Sequence, residues 1–258
     1  MSSIQPDRQT ICQKILDVCQ NEHIHCLHAI ESGSRAWGFA SPDSDFDVRV
    51  IYAEQSDYYW QIFPAKDTFE FIQNDVYAVP FDIGGWELRK ALQLLYKSNS
   101  VILEWINSPI VYHANHVFIT ELKSLQYDFF NAKACFYHYH NMAKNVDLDC
   151  TQPIKLKKYF YVLRALLASI WVKIKNQPIP VEMMDMAELL NTDELLAIQQ
   201  LIVIKTQVDE QYTHQLNPIL QQVIIRLWQQ AEQLPFAEIK QGDIRLLNDF
   251  FKRTIDRL

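Results

Sequence analysis

Asp45 and Asp47, which follow Gly33 and Ser34 after ten intervening residues, form the strongest candidate for a reactive site in this chain. Residues 45–52 (DFDVRVIY) alternate between polar and apolar side chains, which predicts a half-buried strand with both carboxylates on one face at its polar end. Two neighbouring carboxylates repel each other unless a cation lies between them. Mg²⁺ is typically held by one or two protein carboxylates together with water and substrate phosphate. The pair therefore predicts a divalent-metal site.

The segment around Gly33 and Ser34 fits the same chemistry. It follows a predicted strand at residues 24–31 and would open a short helix, whose free N–H groups suit phosphate oxygens. Asp82, on the polar face of a strand predicted at residues 76–83, is the favoured third carboxylate, and Glu70 and Glu87 are the alternatives. Three carboxylates beside a phosphate-binding loop predict a two-metal site for phosphoryl or nucleotidyl transfer.

Glycine is scarce in this chain and is clustered. Of five glycines, four lie in two short segments, Gly33 and Gly38 in the first and Gly84 and Gly85 in the second. Because glycine is needed where φ is positive or where the backbone approaches another group closely, the clusters predict two special loops.

Other polar and aromatic residues near these segments have two interpretations each. Arg49 lies on the predicted carboxylate face, where it either neutralises Asp47 or contacts phosphate, and the sequence leaves both open. Trp37 and Trp86 are interpreted as packing residues that fix the loops, with base stacking as the alternative.

The histidines are interpreted as surface or capping residues. The five cysteines include no C-x-x-C pair, which argues against a zinc site or a disulfide framework and favours a reducing compartment.

Hydrophobic periodicity changes character along the chain. Strands are predicted over residues 24–31, 45–52, 68–73 and 76–83, and the last two are joined by a hairpin turn at Asn74 and Asp75. Helices are predicted over residues 10–20, from Trp86 onwards and, as a short helix, over 103–106. Further helices are predicted over 131–146, 155–175, 193–208, from Asn217 to 234, and from Gly242 onwards. The predicted fold class is α+β: a small mixed β-sheet domain with flanking helices at residues 1–110, followed by an all-α domain at residues 111–258.

Composition excludes several classes of protein. The 258 residues are 49% hydrophobic and 21% charged, so the chain is expected to be globular rather than disordered. The net charge of −7 argues against a broad basic surface for binding nucleic acid. No apolar run is long enough for a membrane span, and the polar N-terminus does not resemble a signal peptide. A cytoplasmic protein is expected.

Three segments, in this order, resemble a known family. They are ESGSRAWGFASPDSDFDVRVIY, DIGGWELRKALQLLYKSNSVILEWINSPIVY and KKYFYVLRALLASIWV. The DNA polymerase β-like nucleotidyltransferases share a sequence signature. It begins with a hydrophobic residue and Gly-[Gly/Ser], continues through a spacer of about ten residues, and ends with Asp-x-[Asp/Glu]. The longer segments are similar to the YcgL-type predicted nucleotidyltransferases, a branch linked to RNA repair.

This resemblance implies a Mg²⁺-dependent transfer of a nucleoside monophosphate from an NTP to a hydroxyl acceptor, with pyrophosphate as the leaving group. Asp45 and Asp47 would be ligands of both of two Mg²⁺ ions, with Mn²⁺ as the alternative ion, and Asp82 would be the third ligand. The residues implied to bind the nucleotide are Gly33, Ser34 and Arg35, and, in the helical half, Lys157, Lys158, Tyr161 and Arg164.

The substrates are less defined than the core chemistry. ATP is the favoured donor, and the acceptor is left open among an RNA end, a protein hydroxyl and a small aminoglycoside-like molecule. The alternative functions are a non-catalytic nucleotide-binding regulator and a protein adenylyltransferase or antitoxin-like enzyme. A carboxylate-paired hydrolase fits least well, because the two aspartates are close together on one strand beside a phosphate-type loop.

Overall fold

Five strands form the sheet that carries the polar strand end described above. They are β1 (His25–Glu31), β2 (Phe46–Ala53), β3 (Thr68–Gln73), β4 (Phe81–Glu87) and β5 (Val111–Ala114). The spatial order is β3-β4-β2-β1-β5, in which β2 and β4 are parallel and the other neighbours are antiparallel. The computed structural model describes residues 5–73, 79–236 and 242–258.

The chain divides into two compact units. The first contains Met1–Ala36, Asp45–Phe130 and Gln241–Leu258, and the second contains Trp37–Ser44 and Asn131–Lys240. The sheet β1–β5 lies in the first unit, together with the helices α1 (Arg8–Asn21), α2 (Gly33–Ala36), α3 (Leu88–Tyr96), α4 (Ser100–Asn107) and α5 (His116–Phe129) and a 3-10 helix at Ser56–Trp60.

The core of the first unit lies on one face of its sheet. Val48 and Val50 of β2 and Phe81 and Ile83 of β4 are fully or almost fully buried. They belong to one cluster with the apolar side of α1, represented by Ile15. Because side chains alternate along a strand, the residues between them, including Asp47, Arg49 and Asp82, lie on the opposite face.

The second unit is helical and is built around one buried helix. Its helices are α6 (Ala132–Lys144), α7 (Leu156–Lys175), α8 (Thr192–Lys205) and α9 (Pro218–Gln233), with a 3-10 helix at Met183–Leu189. Helix α7 packs against α6 and α9. The predicted all-α character is interrupted by a pair of two-residue strands, β6 (Ile154–Lys155) and β7 (Thr213–His214). The final helix, α10 (Ile244–Ile255), lies in the first unit.

The predicted fold class, α+β with a small mixed sheet, is confirmed, and most element bounds agree with the sequence patterns. Strand β4 differs: it extends to Glu87, and α3 begins at Leu88 rather than at Trp86. Glu87 ends the strand and caps the helix, because its side chain accepts hydrogen bonds from the backbone N–H groups of Arg89 and Lys90. The hairpin predicted at Asn74 and Asp75 lies outside the described residues.

Helix α5 was not predicted, and the prediction of a loop at Gly84 and Gly85 is wrong, since both lie inside β4. Across the parts of the chain that the structure describes, no helix has both the length and the apolar character needed to span a bilayer.

Candidate active site

Asp47, Arg49 and Asp82 form an ion-pair cluster on the polar face of the sheet. Asp47 and Asp82 face each other in the parallel register of β2 and β4. One nitrogen, Nη2 of Arg49, lies 3.1 Å from Oδ1 of Asp47 and 2.8 Å from Oδ2 of Asp82. All three side chains are 22–26% exposed, so solvent screens the cluster only in part. Of the two roles open for Arg49, the structure shows charge neutralisation, and it extends to both carboxylates.

Gly84 gives the Arg49 side chain its space. Gly84 is the partner of Arg49 in the β2–β4 register, and a Cβ atom at Gly84 would lie 3.2 Å from Nη1 of Arg49. The same Nη1 donates a hydrogen bond of 3.0 Å to the carbonyl oxygen of Val48, which fixes the guanidinium against its own strand. The neighbouring Gly85 faces the core, where a Cβ would overlap the ring of Phe69.

Gly33 brings the predicted phosphate-binding segment against the same carboxylates. Its φ is +64°, and a Cβ there would overlap Oδ2 of Asp47. The backbone N–H of Ser32 donates a 2.8 Å hydrogen bond to the carbonyl oxygen of Asp47. The structure therefore places the glycine segment next to Asp47, and Ser34 follows as a buried residue of α2.

Arg35 contacts the backbone of Asp45 and the ring of the next residue, Phe46. Its Nε donates a 2.9 Å hydrogen bond to the carbonyl oxygen of Asp45, and its guanidinium lies 3.7 Å from the centroid of the Phe46 ring. Arg35 thus fixes the start of β2 through backbone and ring contacts. Its predicted contact with a nucleotide stays a prediction.

Glu31, which sequence reasoning missed, is completely buried beside the cluster. Its carboxylate accepts hydrogen bonds from the backbone N–H of Asp47 (2.9 Å) and from the hydroxyl of Tyr112 (2.8 Å). Burial raises the pKa of Glu31 to about 7, although both hydrogen bonds act to lower it. The signal that could have found this residue is an acidic side chain at the end of an apolar strand, directly before the glycine segment.

A cavity of about 950 Å³ lies beside the cluster in the first unit. Its lining includes Arg49, Asp82 and Glu70 as well as Trp86 and Trp105, whose rings stack with centroids 3.9 Å apart. Trp86 therefore packs on another side chain, as its packing interpretation expects.

The three candidates for the third carboxylate have different surroundings. Asp82 shares Arg49 with Asp47, whereas Glu70 lies one strand further away, opposite Gly84. Glu87 is buried, caps α3 and accepts a 2.8 Å hydrogen bond from the hydroxyl of Tyr59. Burial raises the pKa of Glu87.

The carboxylate oxygens of Asp47 and Asp82 are the type of ligand that a hard divalent cation prefers. In the structure both carboxylates form ion pairs with Arg49. Oδ1 of Asp82 is buried and has no hydrogen-bond partner, and a carboxylate oxygen in that position fits a ligand of a hard cation. Within residues 5–73, 79–236 and 242–258, no three Asp, Glu, His or Cys side chains are arranged to hold a metal ion. All five cysteines are free. The metal-binding roles of Asp45, Asp47 and Asp82 stay predictions.

The nucleotide contacts predicted in the helical half lie in the second unit, at the start of α7. Nζ of Lys157 lies 2.7 Å from Oε2 of Glu210, and Lys158 donates to the carbonyl oxygen of Asp147 at 3.3 Å. The Tyr161 ring packs edge-on against Trp37, with centroids 5.1 Å apart.

Arg164, in the same helix, is buried and donates to the carbonyl oxygen of Val181. Its guanidinium also lies 4.3 Å from the centroid of the Trp37 ring. These contacts account for Arg164 as part of the packing of the second unit.

Comparisons with known proteins agree with the resemblance seen in the sequence. The protein YcgL of Bacillus subtilis (strain 168), described as uncharacterized, is 42% identical over 196 residues, which cover 75% of this chain and 72% of YcgL. A crystal structure of a nucleotidyltransferase-like protein from Exiguobacterium sibiricum aligns with 96% of this chain and 80% of its own, at 10% identity. Its TM-score of 0.33 is too low to show a shared fold. The model of the RNA repair pathway DNA polymerase beta family matches residues 8–253, and the chain therefore belongs to that family.

Proposed function

We propose that this protein is a Mg²⁺-dependent nucleotidyltransferase that moves a nucleoside monophosphate from an NTP to a hydroxyl acceptor. The observation that supports this most strongly is the meeting of Asp47 and Asp82 at one guanidinium nitrogen, directly beside the glycine segment that begins at Gly33. Membership of a polymerase beta family supports the same reaction class.

In the proposed reaction, the acceptor oxygen forms a bond to the α-phosphorus, and the bond from that phosphorus to the oxygen bridging to the β-phosphorus breaks. Pyrophosphate leaves with the bonding electron pair, and the proton of the acceptor hydroxyl passes to solvent water. Divalent ions of the kind that polymerase beta-like enzymes generally use would supply Lewis-acid stabilisation of the phosphate charge. Asp45 and Asp47 would bind these ions, and Asp82 would bind one of them and orient the acceptor hydroxyl.

Gly33, Ser34 and Arg35 are proposed to bind the triphosphate. Gly33 has no side chain to exclude Asp47, so phosphate oxygens and carboxylate can approach the same point. Ser34 offers a hydroxyl donor and Arg35 a positive charge.

Lys157, Lys158 and Tyr161 are proposed as further nucleotide contacts. For Lys157 this requires exchange of its present partner, Glu210, for phosphate. ATP is the first donor to test. An RNA end is the first acceptor to test, because the matched family is named for an RNA repair pathway. We expect the protein to act in the cytoplasm, where five free cysteines are stable.

The proposal is tested by measuring pyrophosphate release and transfer of α-labelled nucleotide, with each NTP, Mg²⁺ and an RNA with a free 3′ hydroxyl, a protein or an aminoglycoside as acceptor. Asp47→Asn is expected to lower the rate at least about a hundredfold, because it removes one charge from the metal-binding pair. Asp67→Asn is the matched control, since Asp67 is an exposed carboxylate of the same unit that pairs with Lys90.

Transfer by wild type that is lost in Asp47→Asn and retained in Asp67→Asn would support the proposal. Equal rates in wild type and Asp47→Asn would contradict it. Mg²⁺-dependent binding of an NTP with no pyrophosphate release for any acceptor would favour the nucleotide-binding regulator instead.

A further inference from the structure

Arg49 occupies the position between two carboxylates that a cation would otherwise take. Its Nη2 contacts Asp47 at 3.1 Å and Asp82 at 2.8 Å, and each of these carboxylates comes from a different strand. The guanidinium neutralises one of the two negative charges, so it performs the electrostatic task that the paired carboxylates require.

The surrounding backbone is shaped to hold this arginine. The alternation of β2 places Arg49 on the same face as Asp47, and the absence of a side chain at Gly84 leaves room for the guanidinium. The Val48 carbonyl oxygen accepts a hydrogen bond from Nη1. Three independent features of two strands therefore position one side chain.

The pairing nevertheless leaves Asp82 incompletely satisfied. Oδ1 of Asp82 is buried and has no hydrogen-bond partner, while Oδ2 takes the ion pair with Arg49. A buried carboxylate oxygen without a donor is unfavourable, and it is the kind of atom that a further cation would stabilise. Arg49 also lines the adjacent cavity, so its guanidinium has space to move away from Asp82.

We propose that Arg49 is the counter-ion of both Asp47 and Asp82 in the metal-free protein, and that its ion pair with Asp82 breaks when a divalent cation binds. Arg49 is thus a positioning residue that holds the carboxylates of Asp47 and Asp82 together before a metal ion binds. It also weakens metal binding, because it competes for the same oxygen atoms. This inference rests on the site of the proposed function, but it concerns metal affinity and needs no turnover.

The first test is the affinity of the metal-free protein for Mn²⁺ alone, measured by electron paramagnetic resonance of free Mn²⁺. Arg49→Gln is expected to bind Mn²⁺ at least about tenfold more tightly than wild type, because a competing unit charge a few ångströms from the ligands is removed. Arg49→Lys keeps the charge and is expected to lie between the two. Arg253→Gln, which breaks an exposed ion pair with Glu121 in the same unit, is the matched control and should leave the affinity unchanged.

The second test is a double-mutant cycle between Arg49→Gln and Asp82→Asn, followed by thermal unfolding in EDTA and in saturating Mn²⁺. In EDTA, each single substitution is expected to lower the melting temperature. The melting temperature of the double variant should be only slightly lower than that of the less stable single variant. In Mn²⁺ this coupling should disappear, because Arg49 no longer contacts Asp82.

Arg49→Gln that unfolds cooperatively and binds Mn²⁺ no more tightly than wild type would overturn the proposal. So would a coupling between Arg49 and Asp82 that is equal in EDTA and in Mn²⁺, since Arg49 would then be a permanent ion-pair partner. Failure of nucleotide transfer together with tighter Mn²⁺ binding in Arg49→Gln would reject the proposed function and leave this inference standing.

Discussion

Each of the two glycine segments has one residue that borders the polar cluster, Gly33 beside Asp47 and Gly84 beside Arg49, and the two glycines are needed for different reasons. In the first, Gly33 has a positive φ and lies so close to Asp47 that no side chain fits. In the second, Gly84 and Gly85 have ordinary strand backbone and leave room on opposite faces, Gly84 for Arg49 and Gly85 for Phe69. A scarce residue can thus mark an unusual backbone in one place and only an absent side chain in another.

Each segment also borders a buried glutamate. Glu31 precedes Gly33 and holds the backbone N–H of Asp47, whereas Glu87 follows Gly85 and caps α3. Burial raises the pKa of both carboxyl groups. We expect the first segment to be sensitive to any change at Gly33 or Glu31, and the second to tolerate a change at Gly84 better than one at Gly85.

The largest loss of stability is expected for Gly33→Ala. The variant combines a left-handed backbone with overlap against Asp47, which together predict a loss of roughly 2–4 kcal/mol of unfolding free energy. Gly38→Ala is the matched control, since Gly38 also has positive φ, at +85°, but its Cβ would meet nothing within 4 Å. Urea unfolding of both variants measures the difference, and equal losses would show that close approach to Asp47 has no cost.

Stability is expected to depend on pH through Glu31. An unfolded Glu titrates near pH 4.5, whereas folded Glu31 titrates near 7, so the folded state retains a proton that the unfolded state releases. The unfolding free energy contributed by this group is therefore fully present below pH 4.5 and is lost as the pH rises through 7, by roughly 3 kcal/mol in total.

Glu31→Gln should remove this fall while keeping an acceptor for the Asp47 N–H. Urea unfolding of wild type and variant at several values between pH 5 and 8 provides the measurement. Two parallel pH profiles would mean that Glu31 does not retain its proton.

Gly85→Ala is expected to cost about 1–3 kcal/mol, because the new methyl group overlaps the half-buried ring of Phe69. The double variant Gly85→Ala with Phe69→Leu tests this cause, since a smaller side chain at position 69 should recover part of the loss. If the second substitution adds to the loss instead, Phe69 is not the source of the clash.

The smallest change in stability is expected for Gly84→Ala, within about 0.5 kcal/mol of wild type. Its Cβ would lie 3.2 Å from Nη1 of Arg49, the end of a flexible side chain, and at an ordinary contact distance of 3.8 Å from the Phe69 carbonyl oxygen. Thermal and urea unfolding are sufficient to measure this. A loss as large as that of Gly85→Ala would show that Arg49 is held too rigidly to move aside.

The sequence predicts β2 within one residue at each end, because its strict alternation leaves a single way to bury Val48 and Val50. It also places Asp47 and Arg49 on one face. It does not predict that Arg49 would join Asp47 to Asp82, because that contact depends on the parallel register of two strands far apart in the chain.

The role of Glu31 and the strand conformation of Gly84 and Gly85 both depend on contacts between residues far apart in the chain. Glu31 accepts a hydrogen bond from Tyr112 of β5, about eighty residues away, and the local pattern at the end of β1 does not reveal this partner. The clustering of Gly84 and Gly85 predicts a loop because glycine is needed where φ is positive or the backbone approaches another group, and only the positions of Arg49 and Phe69 in neighbouring strands explain why both lie in β4. Similarly, α10 packs against α3 and α5, a contact that its amphipathic pattern does not specify.

Thermal unfolding with each of the four NTPs and Mg²⁺ tests whether the paired aspartates form a metal-dependent nucleotide site. Wild type and Asp45→Ala/Asp47→Ala are compared, with Asp67→Ala as the control for loss of an exposed carboxylate. If the paired aspartates bind nucleotide through a metal ion, at least one NTP raises the melting temperature of wild type and of the control only when Mg²⁺ is present, and does not raise that of the double variant. An equal shift in the double variant, or no shift in wild type for any NTP, would contradict it.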